Sequence, residues 1–86
     1  MEEEYLYLDL GGEEGKAMLA IAEQWLISAY GSMENLDIVD IYEFGDETFV
    51  ELNIFDAGKY YVASRKMPDE WRRRHIREKK LKDLGI

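Results

Sequence analysis

Carboxylates supply the densest chemical pattern in the chain. Asp37, Asp40 and Glu43 recur at every third position, and Asp46, Glu47, Glu51 and Asp56 follow closely. Clustered carboxylates can hold a divalent cation and, with a bound water, support hydrolysis, so a small metal-dependent hydrolase is one reading. The D-x-[DN]-x-[DN]-G pattern of a calcium loop is absent. On a strand, a spacing of three sends Asp37 and Asp40 to opposite faces unless a bulge realigns them. The plainer reading is negative charge on solvent-facing strand positions, which keeps a sheet soluble. The sharper one is a row of carboxylates that imitates a phosphate backbone and competes for a basic groove in another protein. On that reading Asp37, Asp40, Glu43, Asp46, Glu47 and Glu51 form the charged array. Tyr42 and Phe49 would be its anchors, because charge speeds encounter while buried rings hold the complex.

Other catalytic devices find little material. The single histidine, His75, lies within Arg72-Arg73-Arg74-His75-Ile76-Arg77, reads as a solvated helix residue, and has no cysteine to pair with. Ser28, Ser32 and Ser64 sit in no G-x-S-x-G context. Gly11-Gly12-Glu13-Glu14-Gly15-Lys16 has two carboxylates where a phosphate loop would hold its anion, and matches neither glycine-rich spacing. It reads as a tight turn into a helix whose first-turn acids suit the dipole. The expectation is a non-enzymatic protein with no catalytic residue, metal ligand or cofactor.

Net charge is −8, which disfavours nucleic acid as a default partner. The sum conceals a division. Residues 1–64 carry two bases against fifteen acids, and residues 65–86 nine bases against four, so an acidic body bears a basic tail. Arg72, Arg73, Arg74, Arg77, Lys79 and Lys80 make nucleic-acid contact through that tail the second reading. Ion-paired solvation, or docking of the tail on its own or a neighbouring chain in a homodimer, are the plainer ones. Tyr5, Tyr7, Tyr42, Phe49, Phe55 and Tyr61 could place rings on the sheet face away from a helix. Their acidic neighbours suit a protein interface better than nucleic-acid stacking.

These groups need a scaffold. Eighty-six residues make one domain, spanning 1–86, and 47 % hydrophobic content suffices for a compact core without cysteine staples. No apolar run reaches the ~18 residues of a membrane span. The acidic start, Met1-Glu2-Glu3-Glu4, is unlike a secretory signal, so a cytoplasmic, membrane-free protein is expected. Glu4–Leu10 alternates as a strand, with Leu6, Leu8 and Leu10 toward the core. Lys16–Tyr30 has the period of an amphipathic helix, with Met18, Ala22, Trp25 and Ala29 on its apolar face and Gly31 as its stop. Leu36–Phe44 is β-rich with a slip in alternation near Asp40, which predicts a bulge there. Thr48–Asp56 alternates cleanly between turn signals and should be the middle of a meander completed by Tyr60–Arg65. Pro68 opens a basic last helix over 68–84, with Trp71 anchoring its first turn.

The expected fold is therefore α+β in the order β-α-β-β-β-α. An antiparallel sheet carries the long helix on one face, followed by the basic C-terminal helix. From the first helix onward this order is similar to that of double-stranded RNA-binding modules. The likeness is of order alone, since Met67-Pro68-Asp69-Glu70 stands where those modules place a lysine cluster. In composition the chain resembles small acidic proteins of mobile genetic elements that block host nucleic-acid-handling enzymes. That resemblance implies, as the leading expectation, an interaction module whose partner is a protein with a basic surface.

Overall fold

The computed structural model of the protein describes residues 4–74. Within them the order is β1 (Tyr5–Tyr7), α1 (Glu13–Tyr30), β2 (Leu36–Phe44), β3 (Glu47–Asp56) and β4 (Lys59–Lys66), then α2, helical over 69–74. The four strands form one antiparallel sheet in the order β1-β2-β3-β4. The α+β class and element order therefore stand as expected, with β3 inside the meander and β1 added beside β2. The expected 68–84 helix is seen here only in its first turn and a half. His75, Arg77, Lys79 and Lys80 lie outside the described residues.

Two hairpins set the register of the sheet. Phe44 pairs with Glu47 across Gly45-Asp46, and Asp56 with Lys59 across Ala57-Gly58. Gly45 has φ 62°, the positive first position of a II′ turn. Ala57 and Gly58 have φ 52° and 80°, the doubly left-handed pattern of a I′ turn, which a β-carbon at Ala57 opposes. The slip in β2 is a bulge. Register shifts between Ile38 and Asp40, leaving Val39 as the extra residue. Without it the alternation would carry Ile38 out of the core. With it, Leu36, Ile38 and Ile41 share the inner face.

That inner face meets α1. Met18, Ile21, Ala22, Trp25 and Leu26 from the helix form one cluster with Ile41, Val50, Leu52 and Met67, all buried. Each fully buried aliphatic side chain here contributes roughly 1.5–3 kcal/mol, which matters greatly in so small a domain. The apolar arc of α1 is only partly used, because Ala29 and Tyr30 at its end are exposed.

The helix begins three residues earlier than its apolar period alone indicates, and the reason is local. Asp9 organises the turn: its carbonyl accepts from Gly12 N at 3.0 Å and its carboxylate from Gly11 N at 3.0 Å. Gly12 is extended and serves as the cap, so Glu13 and Glu14 enter the first turn, where the dipole favours them. Gly15 is the tight point. A β-carbon there would collide with the Asp9 carbonyl and come within 2.8 Å of Leu10 Cα. Leu8 and Leu10 reach the core as expected, but Leu6 does not. At the outer edge of the sheet it is 58 % exposed, because α1 does not extend over β1 at that end.

Two substitutions test this account by urea denaturation. Gly15→Ala should destabilise by about 2 kcal/mol despite alanine's better helix propensity, because the backbone it meets cannot yield cheaply. Ala57→Asn should stabilise by up to about 1 kcal/mol, because asparagine tolerates the left-handed region.

Candidate functional site: the open sheet face

Alternation and register define the face that α1 does not cover. Tyr7, Tyr42, Phe49 and Lys66 form one cross-strand row, and Tyr5, Phe44 and Glu47 another beside it. The next rows are Asp40-Glu51-Ser64 and Asp37-Asn53-Val62, and Phe55 with Tyr60 closes the far end. The outer face thus has an aromatic end, a polar band carrying three acids, and a second aromatic end.

The larger aromatic cluster is continuous. Tyr5 stacks on Phe44 with centroids 4.5 Å apart and meets Tyr42 edge-on at 5.4 Å. Tyr42 also contacts Tyr7 and stacks on Phe49, both at 5.2 Å. Tyr42 is the hub and is buried by its neighbours, with its hydroxyl 3.3 Å from Ser64 Oγ. Of the rings around it, Tyr5 and Tyr7 stay open to solvent, at 60 % and 55 % exposure, while Phe49 is half-buried. Phe55 and Tyr60 contact each other at 5.0 Å, and Val62 is 78 % exposed. Exposed apolar groups contiguous on one face are the usual mark of an interaction surface.

The bulge has a consequence for charge as well as for packing. By inserting Val39 it returns Asp37 to the face of Asp40, so both acids join Glu51 in the polar band. The other candidates separate. Glu43 pairs with Leu6 and Thr48 on the helix side of the sheet, because it lies one residue from Tyr42 with no second bulge to move it. Asp46 sits in the β2–β3 turn. Glu47 is on the open face but is ion-paired to Lys66 Nζ at 3.1 Å. The six carboxylates are therefore not one array. Of the expected anchors, Tyr42 and Phe49 are both in the aromatic cluster. Tyr61, expected with the outer rings, pairs with Ile54 on the inner side, while Phe44 and Tyr60 take up outer positions.

Tyr7 shows the electrostatics of this surface. Its hydroxyl donates to Glu51 Oε1 at 3.3 Å. Partial desolvation, and then the negative Glu51 beside it, raise the phenol above its ordinary value of 10.0.

The basic tail begins on the other side. Thr48 is fully buried, and its carbonyl accepts from Met67 N at 2.8 Å while its hydroxyl accepts from Arg72 Nε at 3.2 Å. Trp71 packs against the α1 cluster, as its expected anchoring role requires, and Arg74 lies over its ring at 3.9 Å. Pro68 is the cap, one position earlier than expected, its carbonyl accepting from Arg72 N at 3.1 Å. Arg72 and Arg73 line a shallow cleft of mixed charge with Asp46, Glu47, Lys66 and Asp69. The pairing of Thr48 with Arg72 escapes sequence reasoning, because nothing local brings residues so far apart together. The available signal was that Thr48 alternates in step with Val50, Leu52 and Ile54, which places a polar side chain on the inner face.

Among the described residues, no three His, Asp or Glu side chains are grouped as a metal site requires, and no helix is long and apolar enough to cross a membrane. Comparison with family models, with curated proteins and with solved structures finds no match to this chain.

The Tyr7–Glu51 contact predicts a pH dependence. A phenol raised in the folded state contributes stability that is present below pH ~10 and is lost as pH climbs through the folded value. Ultraviolet titration of Glu51→Gln should move the late-titrating tyrosine back toward 10.0, and the alkaline loss of stability should shrink with it.

Proposed function

We infer that the protein is a non-enzymatic interaction module that docks a protein partner on its open sheet face. The observation that carries this reading is the asymmetry of the sheet. The centre of one face is covered by α1, while the other offers two groups of solvent-exposed rings flanking a band of Asp37, Asp40 and Glu51. Rings supply buried area at low entropic cost, and the acids select a partner whose facing surface is basic. Tyr5 and Tyr7 would be the groups buried on docking, with Tyr42 and Phe49 as the platform beneath them.

The finer reading, imitation of nucleic acid in a basic groove, rests on fewer carboxylates than the composition suggests. It draws on Asp37, Asp40 and Glu51, with Glu47 available only where the partner displaces Lys66. The tail-mediated nucleic-acid reading has less support within α2, since Arg72 and Arg74 are already engaged by Thr48 and Trp71. A metal-dependent hydrolase has no grouped ligands among the described residues to stand on.

The test is capture from lysate at low salt with matched variants. Recovery of a basic protein should fall with Tyr7→Ala, with the pair Asp40→Lys and Glu51→Lys, and with added salt. It should be unaffected by Glu23→Lys on the exposed side of α1. Equal recovery by all four proteins would refute docking on this face. Failure of added nucleic acid to displace the captured protein would refute the mimicry alone.

A further inference from the structure

The two borders of the sheet differ. β1 is three residues long, whereas β4 runs for eight, from Lys59 to Lys66, and all but Ala63 are exposed. In the β3–β4 ladder, the Met67–Thr48 bond and the two-residue turn place Lys59, Tyr61, Ala63 and Arg65 in bonded pairs with β3. Tyr60, Val62, Ser64 and Lys66 therefore turn their N–H and C=O groups away from the sheet. Among the described residues no strand pairs this border, although Ser64 O accepts a long bond from the Arg65 guanidinium at 3.5 Å. A border of this length is a template for another strand. Proteins commonly blunt such a border with proline, a bulge or a central charge, and residues 60–64 contain none of these.

We propose that β4 is the pairing edge for a second copy of this chain, joined antiparallel about a two-fold axis at Ala63. Three features of the strand favour its own copy in this register. Tyr60 then pairs with the partner's Lys66, Tyr61 with the partner's Arg65, and Val62 with the partner's Ser64. Each cation faces a ring instead of another cation, and all four outward-turned residues find strand partners. Centring on Val62 would oppose Lys59 to the partner's Arg65. Centring on Tyr61 would leave Ser64 and Lys66 facing the partner's hairpin turn, where no strand continues.

The second feature is the aromatic layout. In the chosen register the row Tyr7-Tyr42-Phe49-Lys66 continues into the partner's Tyr60 and the partner's Phe55. The two aromatic ends of each open face, separate within one chain, become adjacent across the seam. The third is charge. β4 carries Lys59, Arg65 and Lys66 and no acid, so no strand carboxylate of one acidic chain opposes a carboxylate of the other at the seam. This register also keeps each cation opposite an uncharged residue. The product is a continuous eight-stranded sheet with both α1 helices on one side and one extended open face on the other.

Cysteine chemistry tests the register directly, because the sequence has no cysteine of its own. At the axis, Ala63 meets its copy as a non-hydrogen-bonded pair, with Cα atoms about 4.5 Å apart, within disulfide range. Ala63→Cys should be driven to a disulfide dimer by mild oxidant, and Tyr61→Cys should not. Light scattering across a dilution series should give twice the chain mass for the unmodified protein. It should give a single chain mass for Val62→Pro, which removes an outward N–H and no bond to β3. If Val62→Pro loses the circular dichroism of the fold, Val62→Lys takes its place, with the same halving expected. A protein monomeric at every concentration, a dimer that both Val62 variants leave intact, or equal cross-linking at positions 61 and 63 would each overturn the proposal. A monomer that instead accepts a foreign strand along β4 would overturn it too.

Discussion

A single helix can cover only one face of a four-stranded sheet, and the rest of this structure follows from that restriction. Ala22 and Leu26 of α1 and Ile41, Val50 and Leu52 of the sheet are all fully buried in one cluster. Their close packing fixes which side of each strand is interior, and hence which side chains must face outward. Gly15 is part of the same constraint, since only a missing side chain lets the helix start against the Asp9 carbonyl. The interior is thin, as expected of a domain this small, and has little apolar surface left for a second layer. α2 does not supply that layer within its described residues, because Trp71 and Arg72 bind it to the α1 side.

The open face is stabilised from within by its own rings. Tyr42 is buried by Tyr5, Tyr7 and Phe49, although it lies on the side that lacks a helix. Stacked and edge-on contacts of this kind add about 0.5–1.5 kcal/mol each beyond the area they bury. The same rings can thus support the sheet and remain available at their outer surfaces. The polar band between the aromatic ends prevents the face from being uniformly apolar, and on the proposed reading it would give a docking partner an electrostatic orientation.

Charge segregation, conspicuous along the chain, is softened in three dimensions. Lys66 neutralises Glu47 at the start of the tail, and the cleft beneath it mixes Asp46 and Asp69 with Arg72 and Arg73. Exposed pairs of this kind contribute little to stability, typically ~0–1 kcal/mol. They leave Asp37, Asp40 and Glu51 together in the polar band of the open face, while Glu47 is neutralised by Lys66.

Local periodicity was enough for the element order, the α1 stripe, the position of β3 between two partners and the irregularity at Asp40. Each is written in the spacing of apolar residues, where the chain's own geometry imposes 3.6 or 2. The exposure of Leu6 depends on how far α1 reaches over β1, and the inward placement of Tyr61 on its pairing with Ile54, neither of which local spacing encodes. The early start at Glu13, by contrast, rests on the local Asp9 turn, and Glu43 follows its distance from Tyr42. Of the six carboxylates expected together, Asp37, Asp40 and Glu51 share one band, as a strand with one bulge allows. Sequence alone determined that these residues would be strand residues and acidic. Which face each acid occupies, and which of them a cation reaches, was decided only when Val39 was inserted opposite β3 and Lys66 came alongside Glu47, because register and pairing exist only between strands.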